Sequence, residues 1–482
     1  MAPISRRRLF HSGVAAAVLM ATGVAVEARP RGGTLRAGLS GAWSTDSWDG
    51  RTHAGAFMIA AAHGAVFDTL TEVAADGSLR GELATGWEAT DSARQWIFNL
   101  RRGVKFHNGA AFTADDVIAS ILLHKGTQSG AAPIANAIFH IDRLSDHQVR
   151  FVLNEGNADF PYLMSDYHLI IYPHAHLADA MQKGIGTGLY RVDRFQPGER
   201  MTALRVNGHY RDGQAGYFDR IEFYGMNDVA AQSEALAAGR IDVADLAADG
   251  ADRIVQVQGN RHISFAMPTN TQPFDNINVR RALKFGIDRQ AVLDQVLGGH
   301  GVLAGDSPIG PGNPYFNPAL GAVSYDPDRA RWHLAQAGLT GLTLDLSGGL
   351  AARVYAASAG AAGIALQPTP GAGFALRDWS GRVTEDWMFS AGYLSSAPWN
   401  DSGWADQRFD TLLLAARSEL DSDRRRDLYH EMQAILRDDG GAVIPVFADW
   451  RHGVSARIAT PQTVGNLWHL DNARFAERWW VA

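Results

Sequence analysis

Residues 83–117 read LATGWEATDSARQWIFNLRRGVKFHNGAAFTADDV, and this stretch decides the fold of the chain. Its segment Gln95–Leu100 alternates apolar and polar residues, which predicts a strand. The Asn-Gly pair at 108–109 is a tight-turn signal, so we expect a second strand to end there. Thr113 is then placed as the N-cap of a helix whose first turn carries two aspartates that the helix dipole favours. The stretch contains no catalytic constellation.

Length and composition restrict the class of protein. A chain of 482 residues is too long for one core and predicts two or three domains. Hydrophobic residues at 46% and charged residues at 20% are ordinary for a folded, soluble protein. The net charge of -7 argues against nucleic acid as a partner. With no cysteine, the chain has no disulfide, no thiolate metal site, no cysteine nucleophile and no lipid-modified cysteine.

Residues 1–28 are predicted to be a signal peptide of the twin-arginine type. Ser5–Phe10 (SRRRLF) is a basic segment, and the apolar run Gly13–Val26 is too short to span a bilayer core of about 30 Å. Export by the Tat route places a soluble mature chain in the periplasm, with the membrane reached only through a partner. Ordinary Sec export and a basic helix packed on the protein are the alternatives.

The order of motifs along the chain closely resembles the extracytoplasmic solute-binding proteins of family 5, which serve peptide and nickel ABC transporters. The opening stretch matches the family's L-A-x-x-W-E run, its L-R-x-G-V-x-F-H-x-G strand and its T-A-x-D-V helix start. Further matches follow in order through the mature chain: Gly186–Tyr190, Asn207–Tyr210, Ala235–Val243, Pro273–Leu283, Tyr325–Pro327, Phe409–Leu413 and Arg424–Gln433. Leu189 replaces the proline usual in the first of these. The tail Arg478–Trp480 is similar to that of a Tat-exported subgroup.

The resemblance implies an α/β, bilobed periplasmic-binding-protein fold (type II, cluster C) with three domains and a hinge between the lobes. Domain I is expected at 33–72, 186–266 and 447–482, the smaller inserted domain II at 73–185, and domain III, the second lobe, at 267–446. Helical patterns at 279–297, 327–337 and 408–437 alternate with short strands, as an α/β chain requires. The alanine- and glycine-rich region 351–373 is shorter than its counterpart in the family.

Trp379–Trp404 is the expected ligand-facing segment of the second lobe. Taken alone, its tryptophans and charges favour a buried strand followed by a solvated loop, since it shows little helical periodicity. Family members that bind peptides place their ligand-facing charges here. We therefore expect Arg382 to meet an anionic ligand group and Asp386 or Glu385 a cationic one. A local salt bridge between them is the alternative. Further candidates in this segment are Trp379, Trp387, Trp399, Trp404, Asn400 and Asp401.

Three other segments supply candidate ligand contacts. Met267, Thr269 and Asn270 resemble the stretch at the lobe crossover, where a plain turn is the alternative. Tyr167 and His168 are expected to reach the cleft from domain II, with a strand cap as the alternative. A further pair, Ser44 and Thr45, stands at the exit of the first strand, a position that often faces a cleft in an α/β domain.

The predicted function is therefore capture of a small peptide or peptide-like solute for an ABC importer, by a monomer that docks on a membrane permease. Opines, amino-acid conjugates, oligosaccharides and a metal–chelator complex are alternative ligands. A secreted hydrolase is a weaker alternative, because no nucleophile elbow, phosphate-binding loop or dinucleotide fingerprint is present. The 17 histidines are scattered and lack the H-E-x-x-H spacing, so neither a metal site nor a cofactor is expected.

Overall fold

A computed structural model describes residues 29–246 and 250–482. The predicted signal peptide lies outside the described residues. Nineteen strands are described, β1 to β19 in order: Thr34–Leu39, Thr71–Val73, Leu79–Gly81, Ala84–Thr90, Gln95–Leu100, Ile138–Ser145, Gln148–Leu153, Tyr190–Gln196, Arg200–Arg205, Arg220–Gly225, Val243–Ala244, Arg253–Ala266, Gly301–Leu303, Leu342–Leu346, Ile364–Pro368, Ala375–Trp379, Ala442–Val454, Ile458–Ala459 and Trp480–Val481.

The α-helices of the described residues alternate with these strands. They span Gly55–Ala61, Ala114–Leu122, Ala132–Asn136, Phe160–Leu163, Leu177–Lys183, Val229–Ala237, Ile277–Phe285, Arg289–Val296, Pro327–Gln336, Gly349–Ala359, Glu385–Gly392, Gln407–Ser418, Ser422–Asp439 and Phe475–Arg478. Within the described part of the chain, no helix is both long enough and apolar enough to cross a membrane.

The largest sheet has the order β16-β12-β17-β11-β1-β10-β9-β8, with β13 also paired to β17. Its strands β1 and β10 run parallel, with Leu35 beside Ile221, whereas β8, β9 and β10 form an antiparallel meander. We call residues 29–246 with 455–482 the first lobe and residues 267–441 the second lobe. The long strands β12 and β17 join them, since one end pairs with β11 and the other carries β16 and β13.

A second sheet of order β4-β5-β7-β6 forms inside the first lobe and is wholly antiparallel. Phe98 on β5 and Phe151 on β7 meet edge to face at 5.4 Å between ring centroids, and both are fully buried. The helix Ala114–Leu122 adds Val117 and Ile121 to the same core. This sheet therefore has a core of its own beside the main sheet.

The predicted α/β architecture is confirmed, and the structure refines several local predictions. Thr113 is the N-cap, and its backbone N–H donates to the Asp116 carboxylate at 2.7 Å. The expected second strand before the Asn-Gly turn is reduced to an isolated bridge between Lys105 and Ala111. The helical patterns at 279–297 and 408–437 are each divided into two helices. The predicted domain boundaries remain predictions, and the one at 446–447 falls inside β17.

The segment Trp379–Trp404 differs from its expected conformation. It contains the helix Glu385–Gly392, which begins where the Thr384 side chain accepts a hydrogen bond from the backbone N–H of Trp387 at 3.2 Å. The Thr384 N-cap explains why a helix begins here although the sequence shows little helical periodicity. This helix decides which side chains of the segment face the cleft and which face the core.

Candidate functional site

A cleft of about 610 Å³ lies between the two lobes. Both lobes contribute to its wall, so a solute held there contacts each of them. The first-lobe part of the wall consists mainly of residues 51–56, 166–168 and 468–470. The second lobe supplies residues 380–383 with Trp387 and Trp399. A concave space of this size with aromatic walls and a few polar groups suits a small organic ligand.

Arg382 is the cleft's unpaired cation. It donates from Nη1 to the carbonyl oxygens of Ser380 at 3.0 Å and Gly381 at 3.4 Å, and no carboxylate of the described residues pairs with it. Its guanidinium carbon lies 5.6 Å from the ring centroids of both Trp379 and Trp399. Burial lowers the pKa of Arg382, which still leaves the guanidinium charged. The Nε and Nη2 donors, which bond to no described residue, remain for an anion.

The acidic residues predicted to face a cationic ligand group do not line the cleft. Glu385 is buried, accepts a hydrogen bond from the backbone N–H of Tyr315 at 2.9 Å, and has a pKa that burial raises to about 7. Asp386 pairs with Arg417 at 3.0 Å rather than with Arg382. Both acids lie in the first turn of an inward-facing helix, which places them outside the cleft lining. Asp401 likewise pairs with Arg377 at 3.0 Å, outside the cleft lining.

Aromatic side chains form much of the wall. Trp387 is half-buried and Trp399 is 53% exposed on the second lobe, where both line the cleft as predicted. Across from them, Tyr167 meets Trp468 edge to face at 5.3 Å between centroids. The cleft therefore offers flat apolar faces on both lobes, which suit an apolar or planar ligand body.

Two of the predicted tryptophans belong to the interior instead. Trp404 is buried in the second-lobe core against Phe409, so its placement in the pocket wall is corrected. Trp379 is 9% exposed and stacks on His262 with an interplanar angle of 4°. Trp379 is not part of the cleft lining and contributes to the site through its contact with the Arg382 guanidinium.

Two histidines of the cleft, His53 and His469, have a pKa that burial lowers. His53 is 3% exposed, and burial lowers its pKa to about 3. His168 donates from its backbone N–H and from Nδ1 to the same carboxylate oxygen of Asp166, at 2.9 and 2.6 Å. Burial also lowers the pKa of His469, which packs on Trp450 at 4.1 Å between centroids. These rings supply polar edges to the cleft.

A left-handed turn at residues 470–473 holds part of the first-lobe wall. Its four residues, none of them glycine, have φ between 55° and 63°, a conformation that costs about 1–2 kcal/mol per residue. Asp471 offsets this cost by accepting from the backbone N–H of Gly465 at 2.7 Å and from Arg478 at 2.7 Å. His452 accepts from the backbone N–H of Leu470 at 3.0 Å. The turn thereby fixes the neighbouring Trp468 and His469 at the cleft.

The remaining residues predicted to contact a ligand lie away from the cleft lining. Met267 is fully buried in the second-lobe core, which explains why it is unavailable to a ligand. Thr269 binds the carbonyl oxygen of Ser402 through its backbone N–H at 2.8 Å, so this segment is tied to a neighbouring loop. The other four, also absent from the lining, are Asn270, Asn400, Ser44 and Thr45.

Several cleft residues were not predicted. They are Arg51, His53, Trp450, Trp468 and His469. Arg51 forms a bidentate pair with Asp49, with contacts of 2.9 and 2.6 Å, and so adds no net charge. Trp468 and His469, which come directly before the left-handed turn, were the available indication of this wall in the sequence. Nothing in the local sequence indicates that the chain after β17 brings them to the cleft.

Within residues 29–246 and 250–482, no group of three or more histidine and carboxylate side chains is placed to hold a metal ion. The described cleft residues therefore combine one unpaired guanidinium, histidine rings, the Asp166–His168 pair and aromatic walls. This set of groups suits a carboxylate attached to an apolar body.

Comparisons with known proteins show the family of the chain. Residues 78–362 match the family described as bacterial extracellular solute-binding proteins, family 5 Middle. Heme-binding protein A of Haemophilus influenzae is 29% identical over 294 residues, which cover 53% of each chain, so the match spans about half the length of that relative. Di/tripeptide-binding protein 1 of Pseudomonas aeruginosa is 26% identical over 441 residues, covering 77% of this chain and 81% of that one.

A solved structure shares the fold over nearly the whole chain. HbpA2 from Haemophilus parasuis superposes with a TM-score of 0.78, covering 89% of this chain and 96% of its own, at 20% sequence identity. At that identity the likeness concerns the fold alone.

Proposed function

The chain belongs to the bacterial extracellular solute-binding proteins of family 5, and from that premise we propose that it is the substrate-binding component of an ABC importer. It captures a small peptide or peptide-like solute in the cleft between its lobes. The observation that carries the proposal is Arg382, whose guanidinium is unpaired, flanked by Trp379 and Trp399, and placed where both lobes reach a ligand. A di/tripeptide-binding relative supports the size class of the ligand.

Capture proceeds by closure of the lobes. The ligand carboxylate binds Arg382 of the second lobe, while its body contacts Tyr167 and Trp468 of the first lobe. Because a ligand that touches both lobes favours the state in which they are close together, binding shifts the population toward the closed form. The strands β12 and β17 are the connection about which the lobes move, and a bulge between Val257 and Arg261 interrupts their pairing there.

The closed form delivers the solute to a membrane permease. We place the mature protein in the periplasm as a monomer exported by the Tat route. Its action is binding without turnover. Among the described residues, the His168 ring bonds to Asp166 but to no serine or threonine hydroxyl of the cleft lining.

A ligand screen tests the proposal. The purified mature protein is scanned by thermal shift and native mass spectrometry against dipeptides, tripeptides, opines and metal chelates. We expect carboxylate-bearing solutes of peptide size to raise the melting temperature and to be recovered unchanged in a one-to-one complex. Release of a chemically altered product contradicts the transport function.

A further inference from the structure

We propose that the cleft selects carboxylates whose amino group is blocked or absent, such as N-acylated peptides, over free zwitterionic peptides. The inference rests on the proposed function, because it concerns what else the ligand bound at Arg382 carries. A free peptide brings an ammonium group into the same cleft as its carboxylate, and a buried ammonium needs a carboxylate partner.

The acids of the second lobe near Arg382 are committed to other partners. Asp386 is held by Arg417 at 3.0 and 3.3 Å. Glu385 is 2% exposed and accepts from the backbone N–H of Tyr315. A ligand ammonium therefore finds no carboxylate on the second-lobe side of the cleft among the described residues.

The first lobe also offers little carboxylate surface to a ligand ammonium. Among the described residues that line the cleft, Asp166 is the one acid, and its side chain is 3% exposed. Two donors of His168 converge on its Oδ1 at 2.9 and 2.6 Å. The arginine on this side, Arg51, is neutralised by Asp49. Arg382 is thus the one charged side chain among the described lining residues that has neither an oppositely charged partner nor a histidine partner.

The two ends of a dipeptide therefore meet unequal surroundings. Its carboxylate gains charge-assisted hydrogen bonds from the free donors of Arg382. Its ammonium loses hydration and is repelled by the same guanidinium. The one carboxylate in the described lining, that of Asp166, is 3% exposed and already bonded by His168. Acylation removes the ammonium charge and leaves an amide, which the polar edges of the cleft accommodate. The aromatic walls formed by Tyr167, Trp399 and Trp468 add favourable contact with an apolar acyl group.

The test compares three forms of the same peptides by isothermal titration calorimetry: Xaa-Phe dipeptides that are free, N-acetylated, or N-acetylated with a C-terminal amide. We expect the N-acetyl acids to bind at least tenfold more tightly than the free dipeptides, and the amides to lose binding. Free dipeptides that bind as tightly as their N-acetyl forms overturn this inference but leave the proposed function standing. Amides that bind as tightly as acids overturn capture by Arg382 itself, and so does a panel in which no acid binds.

A gain-of-function pair tests the charge balance directly. Ala54 lines the cleft, is exposed, and is the N-cap of the helix Gly55–Ala61 without a side-chain capping bond. Asp and Asn are both favoured at that position, so Ala54→Asp and Ala54→Asn should each fold. We expect only Ala54→Asp to shift the preference toward free dipeptides, by about tenfold. Equal preferences in the two variants contradict the electrostatic reasoning.

Discussion

Replacing Arg382 with glutamine should weaken binding of a carboxylate ligand by about 30- to 150-fold. The guanidinium has two donors without a protein acceptor among the described residues, and its remaining contacts are to the carbonyl oxygens of Ser380 and Gly381. Two unit charges about 4 Å apart interact by about 4 kcal/mol at the effective dielectric of a protein surface. Because Arg382 is only half-buried, solvent reduces this to about 2–3 kcal/mol, and about 1.4 kcal/mol corresponds to a tenfold change in Kd.

The assay is titration calorimetry with the tightest-binding N-acetyl Xaa-Phe dipeptide. Arg377→Gln is the matched control, since Arg377 is a second-lobe arginine that pairs with Asp401 outside the cleft lining. We expect the control to keep its affinity within about twofold. The free energy of unfolding of unliganded Arg382→Gln should fall by no more than about 1–2 kcal/mol, because the substitution removes cation–π contacts with Trp379 and Trp399 but no ion pair within the described residues. Wild-type affinity in Arg382→Gln, or equal losses in both variants, refutes the reasoning.

Three further predictions concern the wall, its support and its response to acid. Trp399→Ala should weaken binding by about 2- to 10-fold, as measured by calorimetry, because the 53% exposed ring packs on the ligand, whereas Trp332→Ala, which removes a 57% exposed ring outside the cleft lining, should not. Gly64→Ala should lower the free energy of unfolding, measured in urea, by about 1–3 kcal/mol or more, because its Cβ would lie 1.8 Å from a carbonyl oxygen of the left-handed turn. The control Gly360→Ala, where a Cβ meets nothing within 4 Å, should leave the free energy of unfolding unchanged. For His452, burial lowers the pKa from 6.5 to about 3, so its contribution to stability is present above pH 6.5 and is lost as the pH falls toward 3. Urea denaturation at pH 5 should show a pH slope smaller by about 1.4 kcal/mol per unit in His452→Gln, and an unchanged slope would contradict the neutral, buried state of this ring.

The fold was predictable from the order of motifs because these motifs depend on contacts between residues close in sequence. The capping of Thr113 by Asp116 and the burial of alternate residues of Gln95–Leu100 depend on neighbours close in sequence. Arg382 was a candidate because the segment resembles the one in which peptide-binding family members place ligand-facing charges, whereas the sequence left a salt bridge with Glu385 or Asp386 open.

The orientation of the neighbouring acids was not predictable from the sequence. Glu385 and Asp386 turn inward because a short helix begins at Thr384, and Asp386 is neutralised by Arg417 on another helix. Such a pairing is a tertiary contact that local sequence does not encode. The structure therefore places these acids outside the cleft lining, and their expected contact with a cationic ligand group stays a prediction.

The first-lobe wall escaped prediction for a different reason. A left-handed turn at 470–473 built without glycine has no sequence signature, since its conformation is imposed by hydrogen bonds from distant residues such as Arg478. Its location beside the cleft depends on the course of β17, which places Trp450 next to His469. Tyr167 and His168, by contrast, were predicted to reach the cleft and do line it.

The central claim is that a solute carboxylate is captured between the lobes by Arg382. A crystal structure of the mature protein with its tightest-binding N-acetyl dipeptide tests this most directly. We expect the lobes closed over the ligand, with its carboxylate oxygens at about 2.7–2.9 Å from the free Nε and Nη2 donors of Arg382 and the acyl amide away from any carboxylate. A ligand bound outside the cleft, or inside it with its carboxylate turned away from Arg382, would contradict the account.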